Sequence, residues 1–188
     1  MDKTAKYIEE YVKKIYCKES FNYHVKIVAK YCGILAEKLN VDSNLMIVCG
    51  YLHDIGYELG KGNPHEQVSA FEAGKILKQI NFSQQKIEII KSSILKHTTD
   101  TLDKDRTKIE EKILANADVI AHIEAAYYIM AVPYIYKGKS FDEGFYWFKK
   151  KMYFEYSDKL SLPQAKELVK DKYLLVKKLI DNFEQFIE

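Results

Sequence analysis

The stretch YLHDIGYELG, Tyr51 to Gly60, sets a histidine and an aspartate side by side where an apolar run gives way to glycines. The run before it, SNLMIVCGYL, reads as a buried helix, and the residues after it read as a turn. A helix C-terminus favours a cationic histidine and disfavours a carboxylate, so an ordinary polar helix end accounts for His53 but not for Asp54. If the pair is half of a metal site, its partners must come from other inward-facing helix positions.

The chain has five histidines, and their settings supply such partners. His24 shares an apolar face with Phe21, Val28, Tyr31, Leu35 and Leu39, while Lys26 and Lys30 point away. His65 opens a helix after Gly-Asn-Pro, with Asn63 as a cap and Pro64 in the first turn. His97 closes a helix in line with Ile87, Ile90 and Ile94. Asp118 lies on a stripe with Leu114, Ala121 and Ala125, where a carboxylate is costly unless paired or metal-bound. Taken singly, a histidine on an apolar face is ordinarily a hydrogen-bonded core residue, and Asp118 could equally hydrogen-bond between helices. Taken together, one metal site explains what would otherwise be six separate coincidences.

The helical pattern extends through the chain, with segments expected at about 3–17, 20–39, 43–53, 65–79, 84–97, 108–131, 141–156 and 162–187. Thr107 to Glu110, Ser140 to Glu143 and Ser161 to Gln164 have capping-box spacing. The loops Ile55–Pro64 and Thr98–Arg106 each follow a histidine-bearing helix end. No strand pattern, internal repeat or low-complexity linker competes. The 188 residues therefore read as one all-α domain.

Composition narrows the function classes. At 47% hydrophobic and 30% charged residues the chain is globular in type, and no apolar run approaches the roughly 20 residues of a membrane span. The N-terminal MDKTAKYIEEYVKK lacks a signal peptide's apolar core, so the expected location is cytoplasmic. Cys17, Cys32 and Cys49 sit singly in apolar contexts and read as buried thiols rather than a disulfide or zinc framework. The net charge is +2 and Arg106 is the only arginine, which argues against dedicated nucleic-acid binding but allows a small phosphorylated substrate.

The ordered set His24, His53–Asp54, Asp118 on an all-helical chain resembles the HD-domain metal-dependent phosphohydrolases, in which the doublet often takes the form His-Asp-Ile-Gly seen at His53 to Gly56. His65 and His97 resemble the two further ligands of the six-ligand dinuclear version, which includes hydrolases that split diadenosine tetraphosphate symmetrically. After Asp118 the chain reads VIAHIEAAYY, without the Tyr-Ile-Glu-Pro run of those hydrolases. The segment from Phe145 to Phe186 is similar instead to the C-terminal helices of a small uncharacterised branch of HD hydrolases.

The resemblance implies an HD-type helical bundle with a metal-site core at about 20–125 and extra helices at about 126–188. It implies one or two divalent transition metals (Fe, Mn, Co, Ni or Zn, with Mg admissible), bridged by a catalytic Asp54. His24, His53 and Asp118 would complete one shell, and His65 and His97 would hold the other metal. The implied activity is hydrolysis of a small phosphate ester or anhydride, a nucleotide or dinucleoside polyphosphate, by metal-activated water. The alternative is a metal- or nucleotide-binding regulatory module without turnover. Lys61 could neutralise a substrate phosphate, and His122, one turn after Asp118, could orient that carboxylate or protonate a leaving group. The aromatic segment FDEGFYWFKKKMYFEYSD reads mainly as core, with base stacking as its other use. The last helix is amphipathic and is expected to pack on the domain of a monomer or homodimer.

Overall fold

The computed structural model describes residues 2–60, 64–98 and 103–186, and the described residues are all-helical. The order is α1 (Lys3–Val12), α2 (Lys18–Ser20), a wide π turn (Phe21–Val25), α3 (Lys26–Lys38), α4 (Ser43–Leu52), α5 (Ile55–Glu58), α6 (His65–Gln79), α7 (Gln84–Leu95), α8 (Ile109–Glu124), α9 (Ala126–Lys137), α10 (Phe141–Phe154) and α11 (Pro163–Glu184). A second π turn, Glu155–Lys159, follows α10.

Local chemistry sets these boundaries. Asp2, Asp42 and Ser83 cap α1, α4 and α7, accepting from the backbone N–H groups of Ala5 (2.8 Å), Leu45 (3.0 Å) and Lys86 (3.4 Å). Two hairpins turn on asparagines in the left-handed region, Asn40 at φ 56° and Asn81 at φ 55°. Each closes a Schellman bond: Val41 N–H donates to the Ala36 carbonyl (2.8 Å) and Phe82 N–H to that of Leu77 (3.0 Å). These tight connections make α3–α4 and α6–α7 adjacent pairs.

The hairpin α3–α4 forms the centre, with α8 against α3, α1 against α4, and α7 against both α4 and α8. Gly50 lets α4 approach α3 closely, since a Cβ there would stand 2.6 Å from the Ala29 Cα. The inner faces are largely apolar, with Leu35, Met46, Leu52, Ile90, Leu114 and Ile120 buried at 0% exposure.

The structure departs from the sequence reading in several places. The expected helix 108–131 breaks at Ala125 (φ −105°, ψ 37°), where α8 and α9 meet at 85°. Both limbs are apolar and no glycine or proline marks the corner, so periodicity runs through it unbroken. Helix α9 then continues to Lys137 and ends on Gly138 at φ 59°. The α8 capping box is one residue later than expected, with the Glu111 carboxylate accepting from Thr107 and Lys108 N–H (2.9 and 3.2 Å). Ser161 does not cap α11; it accepts from Asn116 Nδ2 at 3.1 Å. The expected cap Asn63 lies outside the described residues.

Cys17 is exposed rather than buried, because its Sγ serves as a weak cap for the Ser20 N–H at 3.4 Å, while Cys32 and Cys49 are buried. Helix α11 packs on α8, α10 and α3, burying Ala165, Val169, Val176 and Ile180, but Leu179 is left 60% exposed. No single helix among the described residues is long and apolar enough to cross a membrane.

Candidate metal centre

Five elements deliver the polar residues to one point. His24 comes from the π turn before α3, the kind of widened turn often found where a helix must re-aim a side chain. His53 and Asp54 follow α4 directly, and Asp54 leaves the helical region (φ −113°, ψ 14°), which turns the chain there. His65 is the first residue of α6, His97 lies just past α7, and Asp118 sits within α8.

The glycine of His-Asp-Ile-Gly has a steric reason. A Cβ on Gly56 would stand 2.7 Å from the His65 carbonyl oxygen and 2.9 Å from Ser69 N and Oγ. Its N–H instead donates to Ser69 Oγ at 2.9 Å, seating α5 on the start of α6. The turn after Asp54 thus carries His65 back to within 3.5 Å of Asp54 Oδ1.

Around one centre, His24 Nε2 lies 3.1 Å from His53 Nε2, 3.3 Å from Asp54 Oδ2 and 3.4 Å from Asp118 Oδ1. His53 Nε2 is 3.2 Å from Asp54 Oδ2 and 3.8 Å from Asp118 Oδ1. On the other side, Asp54 Oδ1 faces His97 Nε2 at 3.3 Å as well as His65 Nε2. Donors bonded at about 2.1 Å to one ion stand roughly 3.0–3.4 Å apart in octahedral or tetrahedral geometry, which matches most of these separations.

The hydrogen-bond chemistry makes the same demand. His53 Nδ1–H donates to the Gly50 carbonyl (2.8 Å), and His97 Nδ1–H to that of Ile94 (2.6 Å). In the neutral rings each Nε2 is then a lone pair facing a carboxylate lone pair, an arrangement that a metal ion or a proton held between them relieves. Asp54 Oδ1 and His24 Nδ1 are buried without a hydrogen-bond partner among the described residues. Burial pushes the Asp54 carboxyl up, but the adjacent imidazoles of His53 and His24 outweigh it and hold the group well below the usual carboxylate range. Asp118 is likewise depressed, burial being overcome by His122, His24 and His53. For His65, burial is the leading influence and lowers its pKa. His53, His97 and Asp118 are nearly inaccessible, at 0, 3 and 7% exposure. These residues fit a divalent transition metal.

His122 joins the cluster by a route the sequence did not disclose. Its Nε2 is 3.6 Å from Asp118 Oδ1, its ring stacks on His24 at 5.1 Å, and its Nδ1 meets Glu155 at 3.0 and 3.1 Å. Glu155 is 1% exposed and pairs with Lys151 Nζ at 2.6 Å. Burial raises its pKa, but His122 and then Lys151 bring it below the ordinary value. The signal was present: Phe145, Phe148, Met152, Glu155 and Lys159 recur at helical spacing, so Glu155 is a carboxylate on an apolar stripe, as Asp118 is. Lys61 lies outside the described residues.

Two openings reach the centre. A chamber of about 190 Å³ is lined by His65, His97, Thr98 and Asp118, among others, and a cleft of about 410 Å³ runs from His24 and Asp54 toward α9 and α10. Asp54, Tyr57, His122 and Lys151 border both. The aromatic segment is divided between roles, with Phe145 and Phe148 buried and Trp147 on the cleft wall.

Comparison with known proteins agrees with this geometry. The HD domain family model matches residues 22–123, more than half of the chain. An uncharacterized protein from Clostridium beijerinckii is 36% identical over 87 residues, 44% of this chain and 54% of that protein. The chain thus spans about half the length of the curated relative it matches. A crystal structure of a predicted HD superfamily hydrolase from an uncultured Thermotogales bacterium superposes with a TM-score of 0.65 at 17% identity. That superposition covers 97% of this chain and 92% of the other, and shows that the fold is shared. With the family match lying across His24, His53, Asp54 and Asp118, the chain belongs to the HD-domain family, and its clustered His and Asp groups are fit for metal.

Proposed function

We propose that this protein is a metal-dependent phosphohydrolase acting on a small phosphate ester or anhydride of the nucleotide or dinucleoside polyphosphate class. The observation that carries this reading is the convergence of His24, His53, Asp54 and Asp118 donor atoms at 3.1–3.8 Å, with Asp54 turning its second oxygen toward His65 and His97. His24, His53, Asp54 and Asp118 would hold one metal, and Asp54, His65 and His97 a second. When bound, such ions polarise a phosphoryl oxygen and lower the pKa of water so that it attacks phosphorus at neutral pH.

The chain's own groups do the remaining work. The carbonyls of Gly50 and Ile94 fix the tautomers of His53 and His97, so both rings present Nε2 inward. Glu155 holds His122 against Asp118, and Lys151 brings a positive charge to the rim shared by cleft and chamber. That ammonium is placed to offset charge on a phosphate entering from either side.

The test is metal content per chain by elemental analysis of untagged, anaerobically purified protein, followed by phosphate or nucleotide release from a panel of nucleotides and dinucleoside polyphosphates. Asp54→Ala should abolish release while the helical circular dichroism stays unchanged. Full activity in that variant, or a folded protein that rejects Mn, Fe and Co, would overturn the proposal.

A further inference from the structure

Lys137, Trp147 and Lys151 meet on the wall of the 410 Å³ cleft opposite His24 and Asp54. Lys137 Nζ stands 4.6 Å from the Trp147 ring centre and Lys151 Nζ 5.8 Å. Tyr128 and Tyr136 line the same side. All of these except the metal-facing end of the cleft come from α9 and α10, beyond the 22–123 span of the family match.

The two lysines differ in what holds them. Lys151 is fixed by Glu155, whereas no ion pair to a carboxylate holds Lys137 among the described residues. Lys137 is exposed at the end of α9, and its resting place over the indole is a cation–π contact alone. Burial, with Lys151 and Lys139 nearby, lowers its pKa, so the corner carries crowded positive charge that an anion relieves. An indole covered by an ammonium that no carboxylate holds is a stacking surface that a ligand ring can take over, with the displaced ammonium free to meet the ligand's charge.

Building on the phosphohydrolase reading, we propose that α9 and α10 form a ring-stacking subsite, with Trp147 as its specificity-determining residue. The substrate it selects is a phosphate compound that carries a planar aromatic ring, as a nucleotide does, in preference to a ring-free phosphate ester. The ring lies against Trp147 on the wall that Tyr128 and Tyr136 also line, Lys137 shifts onto the anionic portion, and the phosphate reaches the His24–Asp54 end.

Trp147 is the only tryptophan in the chain, so indole emission, excited selectively over that of the tyrosines, reports this wall alone. The protein as purified is titrated with AMP, GMP, CMP and UMP, and separately with ribose 5-phosphate, reading tryptophan emission directly after mixing. Saturable quenching by at least one nucleoside monophosphate, at concentrations where ribose 5-phosphate has no effect, is expected. In Trp147→Ala, the ratio of kcat/KM for the quenching nucleotide to that for ribose 5-phosphate should fall by about 5- to 150-fold, the range for loss of one base-stacking contact. Equal responses to ringed and ring-free phosphates, or an unchanged ratio in the variant, overturn the subsite. Quenching with no hydrolysis of these monophosphates or of the nucleotide and dinucleoside polyphosphate panel keeps the subsite and removes the phosphohydrolase reading, whereas hydrolysis without quenching does the reverse. Absence of both refutes both.

Discussion

Gly50→Ala tests whether the spacing of two helices sets the geometry of the centre. The added Cβ would meet the Ala29 Cα at 2.6 Å and its N at 2.9 Å, while ordinary contact begins at 3.4 Å. Relief therefore requires α3 and α4 to separate by about 0.8 Å, and both obstructing atoms are backbone that no rotamer change can move. His24 sits on the segment leading into α3, and His53 follows α4 with its ring anchored on the Gly50 carbonyl itself. The His24–His53 Nε2 separation of 3.1 Å would then grow toward about 3.9 Å, beyond the roughly 3.4 Å edge of a tetrahedral site. Metal affinity should drop by about 10–100-fold. Overpacking costs about 1–3 kcal/mol and alanine's helix propensity returns about 1, leaving a loss of up to about 2 kcal/mol, or about 4–8 °C in Tm. Gly74→Ala is the matched control, since its Cβ would meet only side-chain atoms, the flexible Lys91 at 3.3 Å and Ile87 Cγ2 at 4.0 Å. That variant should gain up to about 1 kcal/mol. Isothermal titration with Mn and differential scanning calorimetry measure both effects. If Gly50→Ala melts with Gly74→Ala and binds metal as the unaltered protein does, close helix approach does not govern the site.

Saturating metal should itself stabilise the fold: at a hundredfold excess over Kd one site contributes about 2.7 kcal/mol, so Tm should fall by about 5–11 °C on chelation, and Asp54→Ala should show no such difference. An identical melt with Mn and with EDTA would contradict the proposed ligation. Glu155→Gln keeps the shape of the His122 partner but removes the charge that pairs with Lys151, so metal affinity or kcat should drop about 10–100-fold. Unchanged kinetics and metal titration would leave Glu155 a packing residue only. Glu111 is buried and accepts from Ser92 Oγ (2.5 Å), Lys96 Nζ (3.0 Å) and the Thr107 and Lys108 amides. Burial raises its pKa but these donors lower it further, so its contribution is present above the unfolded value of about 4.3 and is lost as pH falls through the folded pKa. Glu111→Gln should cost about 1.5–3 kcal/mol at pH 7 in urea melts, with the gap closing below about pH 4; a gap independent of pH would show that charge is not involved.

The helical pattern, the apolar stripes and the odd polar residues on them carried most of the architecture, because burial imposes a period and charges violate it visibly. Asp118 could be found that way, and the same test would have found Glu155. The 85° corner at Ala125 could not, since apolar residues lie on both sides and the break is a matter of tertiary packing. The turn asparagines Asn40 and Asn81 also passed unnoticed, because asparagine adopts positive φ without announcing it by composition. His24, Asp54, His97 and Asp118 were legible as polar groups in apolar settings, while His53 and His65 gained meaning only as members of the set, and the π turn and the Gly56 contact explain how donor atoms come to face one another.

The corner at Ala125 also divides labour along the chain. Up to Glu124 the helices hold the donor cluster, and past the corner α9 and α10 supply the far wall of the cleft. The donor cluster and the far wall of the cleft thereby come from separate stretches of sequence that meet at Ala125, with Glu155 and Lys151 reaching back to His122. Residues such as Val132 and Tyr136 can be exchanged to reshape what enters without disturbing any atom of the His–Asp cluster. A library randomised only at the cleft-facing residues of α9 and at Trp147 would thus vary what enters while leaving the His–Asp cluster and its Glu155–Lys151 support in place.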